Sequence, residues 1–187
     1  MLQLRADSLA STHAVAGALA HLSRPGDVIV LAGEMGAGKT AFAQGFGRAL
    51  GIAEAITSPT FTLVHSYPVP GTKHTLHHAD LYRLDSTADV DDLALHELAE
   101  FGGIILIEWG DVVSSTIGDH LEVRLETDAD DDGDDPADAG PADHVGDDVA
   151  DDDFGLDDAR LITLEPVGPA WAGRWDRLTA ALEGYRC

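Results

Sequence analysis

The residues Gly33-Glu34-Met35-Gly36-Ala37-Gly38-Lys39-Thr40 set two glycines, a lysine and a threonine at the spacing G-x-x-x-x-G-K-[ST], and each position of that pattern has a mechanical reading. Glycine lets the backbone curl until successive N–H groups point into one concavity. Those amides, continuing to Ala41, and the positive end of a helix that starts at Lys39 suit phosphate oxygens. The Lys39 ammonium adds a point charge at the β and γ phosphates of a nucleotide, and the Thr40 hydroxyl can ligate a Mg2+ ion that bridges the same oxygens. Lys39 is expected on a solvent-facing loop outside the core, so its removal should cost function and not folding.

Such a cradle needs an acid at the end of a neighbouring strand to hold the Mg2+, directly or through water. Two residues qualify. Glu108 directly follows the apolar run Ile104-Ile105-Leu106-Ile107, and Asp80 ends the segment His77-His78-Ala79-Asp80. One of them would position the metal and the other its water shell or an attacking water. The histidines at 74, 77 and 78 read as packing and hydrogen-bonding residues, since a transition-metal site would want cysteines or a better-spaced ligand set. Trp109, beside the candidate acid, reads as core or rim packing.

The elements around these residues have to place them. Asp27 to Ala32 is a short apolar run of the kind that forms a buried parallel strand, and it leads straight into the glycine-rich loop. Lys39 to Leu50 reads as the following helix, stopped at Gly51. Before them come a strand over Met1 to Leu4 and a helix carrying Val15, Leu19 and Leu22, capped by Ser11 or Thr12. After them, Thr57 to His65 reads as a strand behind Pro59, Pro68 to Gly71 as a turn, Leu76 to Leu81 as a strand, Asp89 to Glu100 as an acidic helix and Ile104 to Ile107 as a strand. Leu121 to Glu126 and Arg160 to Glu165 alternate like the arms of an antiparallel hairpin, and Trp175, Leu178, Leu182 and Tyr185 form the stripe of a terminal helix. The expected fold is α/β, a mostly parallel sheet flanked by helices as in P-loop NTPases, with a C-terminal hairpin.

Composition sets the outer limits. A chain of 187 residues with 44% hydrophobic content fits one domain. Acidic residues number 34 against 11 basic ones, for a net charge of −23. Fifteen of the acids are aspartates in the tract 128–158, which has no Lys or Arg, so the remainder carries only −8. That tract cannot repay the entropy of ordering and is expected to be a disordered insertion at the hairpin tip, tolerated because a long surface loop costs little closure entropy. An acidic body repels a phosphate backbone, which argues against DNA or RNA as a direct partner. With no run of about 18 apolar residues and no basic-then-apolar start, the expected location is the cytoplasm, away from membranes. The single cysteine, Cys187, permits no internal disulfide.

Taken together, residues 33–40, Ser58-Pro59-Thr60-Phe61-Thr62-Leu63, His78-Ala79-Asp80-Leu81-Tyr82-Arg83-Leu84 and Glu108-Trp109-Gly110 stand in the order and spacing of the TsaE (YjeE) family, which this chain resembles over roughly residues 1–127 and again from Arg160. The resemblance implies an ATPase of bacterial tRNA threonylcarbamoyladenosine biosynthesis that works with TsaD and TsaB, its hydrolysis resetting the complex between turnovers. It implies Thr40 and Glu108 as Mg2+ ligands and Asp80 as a catalytic acid beside Lys39. Ser58, Pro59 and Thr60 resemble a switch loop near the γ phosphate, and Trp109 matches the family's aromatic. Thr12, near the start of the first helix, and Arg160, at the base of the hairpin, are weaker matches for groups approaching the nucleotide. The aspartate-rich tract departs from the family pattern. Two rival readings share the cradle: a small-molecule kinase, disfavoured because only Arg48, Lys73 and Arg83 lie between Thr40 and Glu108 where a basic lid would be needed, and an ATP-dependent interaction module whose turnover is incidental.

Overall fold

The computed structural model describes residues 1–59, 63–82, 95–109, 117–128 and 159–187. In chain order these form β1 (Leu2–Ala6), α1 (Leu9–Leu22), β2 (Val28–Ala32), α2 (Lys39–Ala49), β3 (Val64–Pro68), β4 (Thr75–Asp80), α3 (Leu95–Glu100), β5 (Gly103–Glu108), β6 (His120–Thr127), β7 (Arg160–Val167) and α4 (Trp175–Ala181). The aspartate-rich tract, the first half of the acidic helix and Thr60 to Thr62 lie outside the described residues.

All seven strands join one sheet in the order β1-β7-β6-β2-β5-β4-β3. Its centre, β6-β2-β5-β4, is parallel, β3 on one side and β7 on the other run antiparallel to it, and the edge strand β1, antiparallel to β7, runs in the direction of the centre. The sheet is therefore mixed, not mostly parallel. The edge strands have a plain reason for their direction: β3 and β4 are joined by the tight turn after Pro68, and β6 and β7 are the expected hairpin, and such connections produce antiparallel neighbours. The strands with helical crossovers are the parallel ones, and β2 and β5 are accordingly buried along their whole length.

Alternation along the strands assigns side chains to two faces. Ile29, Leu31, Leu76, Ile104 and Leu106 join the core under α1, α2 and α4, with Phe42, Phe46, Trp171 and Leu178. Val28, Val30, Ala79, Ile105 and Ile107 join a second core under α3. By the same parity His78, Asp80 and Glu108 belong to the face that α2 covers, and His77 to the other.

Several boundaries differ from expectation. The cap of α1 is Ser8, not Ser11 or Thr12: its hydroxyl accepts the Ser11 N–H at 3.2 Å, and the Ser11 and Thr12 hydroxyls serve neighbouring groups. β3 begins at Val64, not Thr57. Glu108 is the last residue of β5 and not the residue after it. The terminal helix stops at Ala181 and continues as a 3-10 turn at Glu183–Tyr185.

At the end of the sheet opposite the glycine-rich loop, Asp27 and Arg174 form a buried bidentate pair at 2.5 and 2.7 Å. Arg174 also donates to the Leu22 and Ala170 carbonyls at 2.9 Å and lies over the Trp171 ring, and Asp27 accepts the Arg24 N–H. This cluster ties the entry of β2 to the segment before α4.

Two histidines give the fold a pH dependence. Burial holds the His77 imidazole below its ordinary value, and His13, which faces Gly45 and Arg48 of α2, is lowered by burial first and by the Arg48 charge second. Below an ordinary histidine value of about 6.5 the unfolded chain takes up protons that the folded one refuses. Stability is thus fully present above that value and falls as pH drops through it. The melting temperature should fall between about pH 7.5 and 5.5, above the carboxylate range. The drop should shrink in a His13→Gln/His77→Gln variant, and an equal drop would remove these two groups as its source.

Candidate functional site

Strand direction collects the candidate residues at one edge of the sheet. The carboxyl ends of β2, β4, β5, β6 and β1 lie there, the last with the start of α1, and the two strands that run the other way, β3 and β7, contribute their starts. Open α/β sheets gather ligands at such an edge.

The glycine-rich loop joins β2 to α2. Gly33 has φ +135°, and any Cβ there would collide with the Leu125 carbonyl of β6, so only glycine lets the loop leave the sheet at this point. Gly38, at φ +100°, caps α2 in the left-handed region, and the first N–H groups of α2 have no partner within the helix. Lys39 is not solvent-facing: it is 5% exposed. Its ammonium donates to the Gly33 and Glu34 carbonyls at 2.8 Å and sits 3.6 Å from the centre of the Trp109 ring. Met35, at the tip, is exposed, whereas Ala37 and Ala41 are buried.

The two acids are in register, Asp80 opposite Glu108 in the parallel β4–β5 pair, but their partners differ. Glu108 is buried. Its Oε1 accepts the Thr40 hydroxyl at 3.0 Å and pairs with His78 Nε2 at 2.9 Å, and its Oε2 lies 3.3 Å from the Thr40 hydroxyl. Asp80 accepts the Ser58 hydroxyl at 2.8 Å and the Tyr82 N–H at 2.9 Å, which fixes the segment before Pro59 to the end of β4. Thr40 and Glu108 thus offer a hydroxyl and a carboxylate at one point, with Asp80 on the adjoining strand. An oxygen-only set of this kind suits Mg2+, and the lysine and the amides beside it suit phosphate; the residues present fit both groups.

Two non-glycine residues at this edge have left-handed backbones, Leu63 and Trp109, both at φ +63°. Such a conformation costs about 1–2 kcal/mol per residue. Each is held from both sides: Leu63 donates to Pro59 and accepts from Asp80, and Trp109 donates to the Leu31 carbonyl. The turn at Trp109 brings its indole onto Lys39 and against Tyr82, ring centres 4.9 Å apart. Trp109 is half-buried, and packs both on the loop lysine and against the rim of the second core.

Arg160 is buried and its Nε donates to the Ala37 carbonyl at 3.1 Å, so the first residue of β7 bears directly on the loop. Thr12 is buried one turn into α1 with its hydroxyl on the Ser8 carbonyl; no hydrogen bond joins it to the loop among the described residues. Thr60 lies outside the described residues. Sequence reasoning missed the His78–Glu108 bond, although the parity of β4 puts His78 on the same face as Asp80.

These features define a class: an α/β protein with one mixed sheet between helices and a glycine-rich loop facing two strand-end carboxylates. Comparison with known proteins makes the class specific. The model of the family "Threonylcarbamoyl adenosine biosynthesis protein TsaE" matches residues 6–134. A relative from Streptomyces coelicolor, named tRNA threonylcarbamoyladenosine biosynthesis protein TsaE, is 39% identical over 156 residues, covering 82% of this chain and 89% of that one. The Bacillus subtilis protein of the same name is 36% identical over 124 residues, covering 64% and 74%. A solved structure, that of YdiB from Bacillus subtilis, superposes with a TM-score of 0.63 at 27% identity over 98% of this chain and 94% of that one. The chain belongs to the TsaE family. No helix among the described residues is long and apolar enough to cross a membrane.

Proposed function

We propose that this chain binds and hydrolyses ATP as the nucleotide-handling component of the tRNA threonylcarbamoyladenosine machinery, working in the cytoplasm with TsaB and TsaD to sustain their turnover. The observation that carries the reading is the Thr40–Glu108 contact at 3.0 Å, which joins the first turn of α2 to the end of β5 beside the Lys39 ammonium. Residues 68 apart in sequence are brought into one oxygen-rich cluster at the sheet edge that has no evident packing purpose.

In this reading the backbone from Gly33 to Ala41 cradles the phosphates, and Lys39 exchanges its two neutral carbonyl acceptors for charged phosphate oxygens, the stronger acceptors. Thr40 and Glu108 would hold Mg2+, which would supply charge neutralisation at the phosphates. Asp80 orients water or the Ser58-Pro59-Thr60 segment, to which it is already tied through Ser58. Arg160 steadies the loop from β7. The chemistry on tRNA is left to the partners, in keeping with a body whose charge outside the aspartate tract is −8. Turnover is weak for the chain alone and is stimulated in the complex.

Glu108→Gln tests the division of labour. The amide keeps the shape but removes the charge that holds the metal, so ATP hydrolysis should fall about a hundredfold or more, while nucleotide remains bound. Repeated tRNA modification by TsaB and TsaD supplied with the variant should stall after early turnover. Full modification would remove Glu108 from the role given to it here and favour a module that needs only ATP binding.

A further inference from the structure

We infer that His78 is a positioning residue for Glu108, holding the carboxylate in the orientation in which it serves Mg2+; the inference rests on the nucleotide reading above. His78 is fully buried in β4, on the face covered by α2, and its Nε2 lies 2.9 Å from Glu108 Oε1. Glu108 is also buried. An ionised carboxylate only accepts hydrogen bonds, so the proton between the two atoms belongs to His78 Nε2. The other ring nitrogen, Nδ1, is buried with no hydrogen-bond partner among the described residues. The 2.9 Å contact therefore reads as the Nε2–H of His78 donating to Glu108 Oε1.

The geometry around Glu108 says what that proton is for. Two donors converge on Oε1, Thr40 at 3.0 Å and His78 at 2.9 Å, and among the described residues Oε2 has the longer 3.3 Å contact with Thr40. His78 thus distinguishes the two carboxylate oxygens by bonding to Oε1. Thr40 alone cannot fix the rotation of the carboxylate, because it touches both oxygens. The backbone around Glu108 is equally constrained: its carbonyl accepts from Leu81 and the next residue donates to Leu31. His78 supplies the side-chain restraint that completes the set. Groups that orient a ligating carboxylate typically change metal affinity by 10–100-fold when removed.

The test compares His78→Leu, which keeps apolar volume without a donor, with His78→Gln, whose side-chain amide places an N–H near the position of Nε2. Binding of a fluorescent ATP analogue is titrated with Mg2+, and the ring nitrogens of His78 are read by 15N NMR in the wild-type protein without nucleotide. The expected results are a proton on Nε2, a rise of about tenfold or more in the Mg2+ concentration for half-maximal binding in His78→Leu, unchanged metal-free analogue binding, and recovery in His78→Gln. A ring with no proton on Nε2, an unchanged Mg2+ requirement in folded His78→Leu, or no recovery in His78→Gln would overturn the inference. Wild-type protein that binds no analogue at any Mg2+ concentration would instead remove the nucleotide reading, and the Nε2 proton, measured without nucleotide, would still decide whether His78 holds Glu108.

Discussion

Lys39→Ala is expected to lower ATP turnover by about a hundredfold or more, the usual loss when one preorganised donor to developing negative charge is removed. The lysine is already aimed into the loop. Its ammonium is held by the Gly33 and Glu34 carbonyls and flanked by the Trp109 ring, so little reorganisation separates that state from one in which phosphate oxygens replace the carbonyls. Because Lys39 is buried and not on an open loop, alanine also removes hydrogen bonds inside the fold. The two carbonyls it leaves belong to the loop at the sheet edge and not to the core, so the melting temperature should fall by only a few degrees, about 1 kcal/mol. Retained turnover in a folded variant would count against the site as a whole.

The largest loss of stability is expected at the other end of the sheet, in Arg174→Ala. Asp27 would then be buried without its bidentate partner, and the Leu22 and Ala170 carbonyls would lose their donor as well. Breaking one side of a buried ion pair typically costs about 3–5 kcal/mol, a large share of the 5–15 kcal/mol that holds a typical domain together. At about 2–4 °C per kcal/mol for a chain of this size, thermal unfolding should come about 10 °C earlier. Replacing both residues by apolar ones of similar volume should recover much of the loss, since the stranded charge is the main penalty. A small shift in Arg174→Ala would mean that water reaches Asp27.

The two predictions fall on residues that the sequence treats very differently. Lys39 is legible because the glycines, lysine and threonine of its motif lie within eight positions and glycine spacing is a local signal. Glu108 and Asp80 were legible for a similar reason, since each ends a run of strand-forming residues. Asp27 and Arg174 are 147 residues apart, and each reads alone as an ordinary solvated charge; only the packing of α4 beside the entry of β2 makes them a pair. The His78–Glu108 bond depends on the β4–β5 register, and the Arg160–Ala37 contact on β7 entering at the same edge, and neither register is written in either strand. The mixed character of the sheet was half legible: the β6–β7 hairpin follows from alternation, but the pairing of β1 with β7 joins the two ends of the described chain. The left-handed backbones of Leu63 and Trp109 carry no sequence signal, because both are side chains that disfavour that conformation, held there by their neighbours.

The most direct test of the central claim is the ATP hydrolysis rate of the purified chain, alone and with its own TsaB and TsaD, with Lys39→Ala as the blank. The account predicts slow hydrolysis alone, clear stimulation by the pair and no stimulation of the Lys39→Ala protein. Hydrolysis that is indifferent to TsaB and TsaD, or equal in the variant, would contradict it.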